Sequence, residues 1–173
     1  MAFADHPRQE ILLPVKRSFI ALTFIVALVL NLIPLQNVAL AAWPDFIALA
    51  LLYWCISQPQ RIGISIAFGM GLLMDIGDAS TFGQHALAYS IIAFVALVLH
   101  RRLSNFGPMK QAPQIGLILI AGQFIILLTG LLDGSHFPGW DFFLASVSGT
   151  LLWPFLSSML RIPQKPRSDT DAR

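Results

Sequence analysis

The sequence predicts an all-α integral membrane protein: a single membrane domain over residues 1–173, with six transmembrane helices in one bundle. Three observations lead there. The chain is 56% hydrophobic and 12% charged, with a mean hydropathy of +0.72, whereas soluble domains carry about 25% charged residues. That leaves too little polar surface to coat a water-soluble globule of this size. Six apolar runs, at residues 18–35, 40–57, 61–77, 84–99, 113–132 and 141–160, follow one another along the chain. Finally, all 11 Lys and Arg residues fall at the two ends and on alternate connections, the asymmetry produced when positively charged loops are retained in the cytoplasm.

Each run holds roughly 16–20 residues, close to what crosses a ~30 Å hydrocarbon core at ~1.5 Å per residue. None alternates with period 2, so the backbone is satisfied within helices and not in a barrel. After the first run, Ala39-Leu40-Ala41 imitates a signal-peptide cleavage site. The run exceeds a signal core of about 7–15 residues, and Pro34, Gln36 and Asn37 interrupt the approach, so it is read as a retained helix. The second run opens with Trp43-Pro44-Asp45, where Pro suits a first helical turn and a carboxylate suits the positive end of the helix dipole. The third and fourth runs are the shortest, and Arg61, Arg101 and Arg102 can snorkel to extend them. Residues 101–112, with Gly107 and Pro108, read as the longest connection. In the sixth run Trp153-Pro154 predicts a kink, because Pro removes a backbone bond.

The basic residues are Arg8, Lys16 and Arg17, then Arg61, then Arg101, Arg102 and Lys110, and finally Arg161, Lys165, Arg167 and Arg173. Asp45, Asp75, Asp78, Asp133 and Asp141 belong to the opposite face. This parity places the tails 1–17 and 161–173 in the cytoplasm. The short basic segments read as lipid-headgroup contacts, which leaves a membrane-embedded or outer-side surface for a partner.

A carboxylate at membrane depth costs about 2.5 kcal/mol or more unless it is hydrated or paired, so Asp45 and Asp75 need a reason. Asp45 has one as a cap. Asp75 sits near the end of its run, where the helix dipole disfavours an anion, so capping is not expected to account for it. Gly63, Ala67, Gly71 and Asp75 recur at i+4, a narrow face that lets another helix approach and turns Asp75 inward. Its expected partners are Asn31, Gln84, His85 or backbone groups. With no cation nearby the acid is expected to be largely neutral, which makes Asn a tolerable replacement. Ala145, Gly149, Trp153 and Ser157 form a second i+4 stripe.

Catalysis finds little support. There is no G-x-S-x-G, H-E-x-x-H, P-loop or glycine-rich nucleotide fingerprint, and His85 and His136 match no metal-ligand spacing. An intramembrane protease would need Asp45 and Asp75 to meet. Cys55, the single cysteine, excludes an internal disulfide. No catalytic residue, cofactor, metal or nucleic-acid partner is expected.

Pro44, then Leu51-Leu52-Tyr53-Trp54, Pro59 and Arg61, then Phe68, Gly71 and Asp75, then Gly83, Ala86-Leu87 and Ser90-Ile91-Ile92-Ala93 form an ordered series, and Gly149 with Leu152-Trp153-Pro154 extends it. In order and spacing, from about Pro34 to Leu160, the chain resembles the MreD family of rod shape-determining proteins. That family often carries Asn where this chain has Asp45. The resemblance implies a non-enzymatic inner-membrane component of the bacterial cell-wall elongation machinery. It would associate with MreC and, through it, with MreB, the glycosyltransferase RodA and its transpeptidase. It also implies a fold similar to the six-helix substrate-binding component of energy-coupling-factor transporters, so a vitamin-type transporter component is the alternative.

Overall fold

The computed structural model describes residues 15–33, 42–77 and 82–164. They form six α-helices: α1 (Arg17–Asn31), α2 (Phe46–Ser57), α3 (Ile64–Gly77), α4 (Gln84–Ser104), α5 (Pro108–Leu132) and α6 (Leu144–Arg161). Short 3-10 turns at Trp140–Phe143 and Ile162–Gln164 flank α6, and no strand occurs among the described residues. Pro34 to Ala41, Asp78 and the tail from Lys165 lie outside the described residues, as do the first 14 positions.

The core is built around α2. All residues from Ile47 to Ile56 are buried, as expected of a helix that is apolar on every side. Around it lie α1, α4 and α6, while α3 packs on α4 and α5 packs on α4 and α6. On α1 the residues Ile20, Phe24 and Ala27 face inward with helical spacing, while Leu22, Ile25, Val26 and Val29 face out. Trp54 links the two helices, its indole N–H donating to the Thr23 hydroxyl at 2.8 Å and its ring meeting Phe19 edge-on. The outside of the bundle carries many large apolar side chains: Leu117, Phe124, Leu132, Leu151, Phe155 and Met159 are all exposed. So much exposed apolar surface suits lipid or a partner and does not suit water.

Helix lengths differ from those the apolar runs predict. The stretches Gln84–Ser104, Pro108–Leu132 and Trp140–Gln164 are long and apolar enough to cross a membrane, whereas Arg17–Asn31, Phe46–Ser57 and Ile64–Gly77 are apolar but shorter. The second helix begins at Phe46 and not at residue 40, because Asp45 is extended (φ −76°, ψ 96°) and its carboxylate caps Ala48. At 12 residues α2 is about 18 Å long, short of a ~30 Å core. The fourth helix, expected to end at Leu99, continues to Ser104 with Arg101 and Arg102 in its last turn, where cations suit the dipole.

The connection expected over residues 101–112 shrinks accordingly to Asn105–Gly107, since Pro108 stands at the first position of α5, where its missing N–H costs nothing. Buried Gln111 closes this turn by donating to the carbonyls of Leu103 and Phe106. Pro113 lies inside α5 and Pro154 inside α6, and both helices run through them.

The small-residue face of α3 is used over part of its length. Ala67, Gly71 and Asp75 are buried, and a Cβ at Gly71 would stand 2.3 Å from the Ala86 Cα. Gly63 precedes the helix and has open space around it, so it takes no part in the contact. A side chain at position 71 must therefore separate α3 from α4. We expect Gly71→Leu to destabilise the detergent-solubilised protein by about 1–3 kcal/mol or prevent its folding. Gly63→Ala should stay within about 0.5 kcal/mol; thermal unfolding of the two variants side by side measures the contrast.

Candidate functional site

Helix α4 starts without a capping side chain of its own. Its N-cap is Gly83, held at φ +96° in the left-handed region that glycine alone adopts freely. The first-turn N–H groups of a helix have no intrahelical acceptors. Here Asp75, near the end of α3 and 2% exposed, supplies them. The Gly83 N–H donates to Asp75 Oδ2 at 2.9 Å, the His85 N–H to Oδ1 at 2.8 Å and the Ala86 N–H to Oδ2 at 3.4 Å. The His85 ring adds a fourth contact, Nδ1 lying 2.9 Å from Oδ1.

Capping therefore does account for Asp75, with the correction that the helix capped is the next one. An anion misplaced at the end of its own helix becomes well placed at the start of its neighbour. Gly71, one turn back on the same face, permits the close approach that brings the carboxylate within reach.

Asp45 forms a second node beside the first. Its Oδ1 accepts from Ala48 N–H and from Asn31 Nδ2, both at 2.9 Å, and its Oδ2 accepts from the Tyr89 hydroxyl at 2.7 Å. Asn31 Oδ1 in turn accepts the Phe46 N–H at 2.9 Å, and Trp43 donates its indole N–H to the Leu30 carbonyl. His85 and Tyr89, one turn apart on α4, meet edge to face at 5.8 Å and join the two nodes. The result is a polar belt that ties α1, α2, α3 and α4 at one end of the bundle. A cavity of about 20 Å³ beside Asp45, Tyr89, Gln123 and Ser146 has room for about one water, far below the ~300–1,000 Å³ of small-molecule sites.

Of the partners expected for Asp75, His85 and backbone groups are found there. Asn31 instead bonds Asp45, and Gln84 donates to the Ile126 carbonyl of α5 at 2.9 Å. Pro44 packs near Gly149 of α6, where a Cβ would come within 3.8 Å of the Pro44 Cβ and 3.1 Å of Leu119. Trp153 belongs to a separate knot at the opposite end: it is 1% exposed and donates its indole N–H to Gln111 Oε1 at 3.2 Å. Pro154 follows it on α6, its carbonyl accepting from the Ser158 hydroxyl. On the second small-residue stripe Gly149, Trp153 and Ser157 are buried. Buried Gln164 donates to the Tyr53 hydroxyl at 2.7 Å and to the Leu160 carbonyl.

Sequence reasoning missed Tyr89, Gln111 and Gln164. None of the three left a signal in the sequence; the helix start at Gly83-Gln84-His85, with no Ser, Thr, Asp or Asn to cap it, points only to the cap that Asp75 supplies.

An all-helical bundle, apolar outside and stitched inside by buried polar knots, with three helices long and apolar enough to cross a bilayer, defines a helical membrane protein. The family model described as rod shape-determining protein MreD matches residues 15–162, and the chain belongs to that family. It is also 28% identical, over 138 residues, to the rod shape-determining protein MreD of Haemophilus influenzae (strain ATCC 51907 / DSM 11121 / KW20 / Rd), covering 80% of this chain and 85% of that protein. No solved structure matches the chain.

The geometry argues that even Asn, the tolerable replacement expected for Asp75, carries a cost in stability. Both Asp75 oxygens accept backbone N–H groups, so an amide would turn its own donor toward one of them. Asp75→Asn should lower stability by about 1.5–3 kcal/mol, the worth of hydrogen bonds to a charged group. Asp75→Leu, which strands every donor, should cost more than Asn. Chemical denaturation of both variants in the same detergent gives the order, and a Leu variant as stable as wild type would show that the cap contributes nothing.

Proposed function

We propose that this chain is a non-enzymatic scaffold of the bacterial cell-wall elongation complex. In this reading it lies in the inner membrane with six spans and both termini in the cytoplasm, and associates with an MreC-like membrane protein. Through that partner it reaches MreB, RodA and the transpeptidase of RodA. The observation that carries the reading is the family match over residues 15–162. The structure adds support of a physical kind. The carboxylates of Asp45 and Asp75 are taken up as helix caps, and the apolar outer faces of α5 and α6 are available to lipid and to partner helices. The basic residues Arg17, Arg61, Arg101, Arg102, Lys110 and Arg161 all belong to the end of the bundle opposite the aspartate belt, as the positive-inside pattern asks.

The vitamin-transporter alternative needs a substrate-sized cavity among the helix ends. The cavity beside the aspartate belt holds about 20 Å³, and the larger space of about 650 Å³ is an open groove on the flank between α1 and α3, not an enclosed site among the helix ends.

Depletion in a rod-shaped bacterium should give rounded cells, and affinity capture should recover an MreC-like protein. Normal shape combined with a specific vitamin-uptake defect would favour the transporter component. Removing residues 166–173 should leave capture of the partner intact, because in this reading the docking surface lies within the membrane or on its periplasmic side. Loss of capture by the truncated chain would move that surface to the tail. For topology, Ser104→Cys and Ser135→Cys, both at exposed positions in a Cys55→Ser background, should be labelled from opposite sides of the membrane. Labelling of both from one side would overturn the arrangement.

A further inference from the structure

A groove of about 650 Å³ runs along the flank of the bundle between α1 and α3. Ile20, Phe24 and Leu28 form one wall, and Ile66, Met70 and Leu73 the other. One end is different: Arg17, Gln60 and Arg61 line it, the only charged or amide side chains there among the described residues. Arg17 is exposed and Arg61 half-buried, and neither forms a salt bridge among the described residues. The Arg61 guanidinium donates to the Val15 carbonyl, which anchors it at the mouth of the groove and leaves further donors of its planar fork unused.

From Arg17 to Leu28 the groove runs about 16 Å along α1, open on its outer side, and its aliphatic and Phe walls suit a hydrocarbon chain. Its guanidinium end sits where the basic residues of the chain gather, the level at which anionic lipid headgroups are attracted to Lys and Arg.

We propose that the α1–α3 groove binds one anionic phospholipid, an acyl chain lying between Phe24 and Met70 and the phosphate held at the Arg17 and Arg61 end. The inference rests on the chain being embedded in a membrane and not on its role in cell shape, so either can fail alone. The two guanidinium charges favour a headgroup of net negative charge over a zwitterionic one, and the apolar walls supply shape without choosing among chains.

Native mass spectrometry of the full chain from detergent, with phosphatidylglycerol or phosphatidylcholine added, tests this directly. We expect one phosphatidylglycerol to be retained in preference to phosphatidylcholine, and Arg17→Gln to reduce that preference about five-fold. Arg17→Lys should keep part of it. Ala21→Trp, at an exposed position lining the groove, should abolish retention of both lipids while the thermal stability of the lipid-free protein stays unchanged. A photoreactive residue in place of Ile25 should add the mass of one phospholipid in membranes. Equal retention of the two lipids, unaffected by the Arg17 and Ala21 variants, would overturn the proposal. So would a crosslink at position 25 to a partner helix, to a second copy or to the chain's own N-terminal segment instead of to lipid.

Discussion

The carboxylate of Asp75 closes the first turn of α4 from the end of α3, and the pairing of those two helices, to which the rest of the belt is joined, depends on that contact. The first-turn N–H groups of a helix have no acceptor within it, and the Asp75 side chain that faces them is buried, so their acceptor has to come from the protein. Gly83 has no side chain to give, and its positive φ sets the direction from which α4 departs. The acceptor has to come from the preceding helix, and it reaches only because Gly71 lets α3 lie against the Ala86 backbone. Small residue and acid thus act together: the one brings the helices close, and the other makes that closeness favourable.

From α4 the constraint spreads inward. His85 bonds Asp75, and Tyr89, one turn further, bonds Asp45, which caps α2 and holds Asn31 of α1. The central helix is thereby fixed at its N-terminal end by polar bonds and along its sides by packing. Tyr53, near its other end, meets Gln164 just beyond α6, while Trp153 of α6 meets Gln111 of α5. Two polar knots at opposite ends of an apolar bundle define depth and register. Apolar packing alone does not, since lipid tails compete with side chains on equal terms.

This economy leaves the exterior free. Buried hydrogen bonds take up the polar side chains of the belt, and the outward faces of α1, α5 and α6 carry Leu, Ile, Val, Phe and Met. A helical membrane protein gains from that division, because the polar groups are satisfied inside while the outward surface stays compatible with lipid. The α1–α3 flank is the exception. There the helices part, and an apolar groove ends in two guanidinium groups.

Composition, the order of apolar runs and the placement of basic residues determined the helical membrane class and the family, because hydropathy and motif order are properties of the chain read in one dimension. The Asp45 cap was legible for the same reason, its acceptor and donor lying 3 residues apart. The i+4 face of α3 was enough to turn Asp75 inward. What meets Asp75 was decided by tertiary structure: its donors lie 8 to 11 residues away across a turn, and only helix pairing brings them to it. The same holds for the short turn at residues 105–107, which Gln111 closes from the following helix. It holds as well for the burial of α2, since a residue facing lipid and a residue facing protein have the same hydropathy, and contacts alone distinguish them.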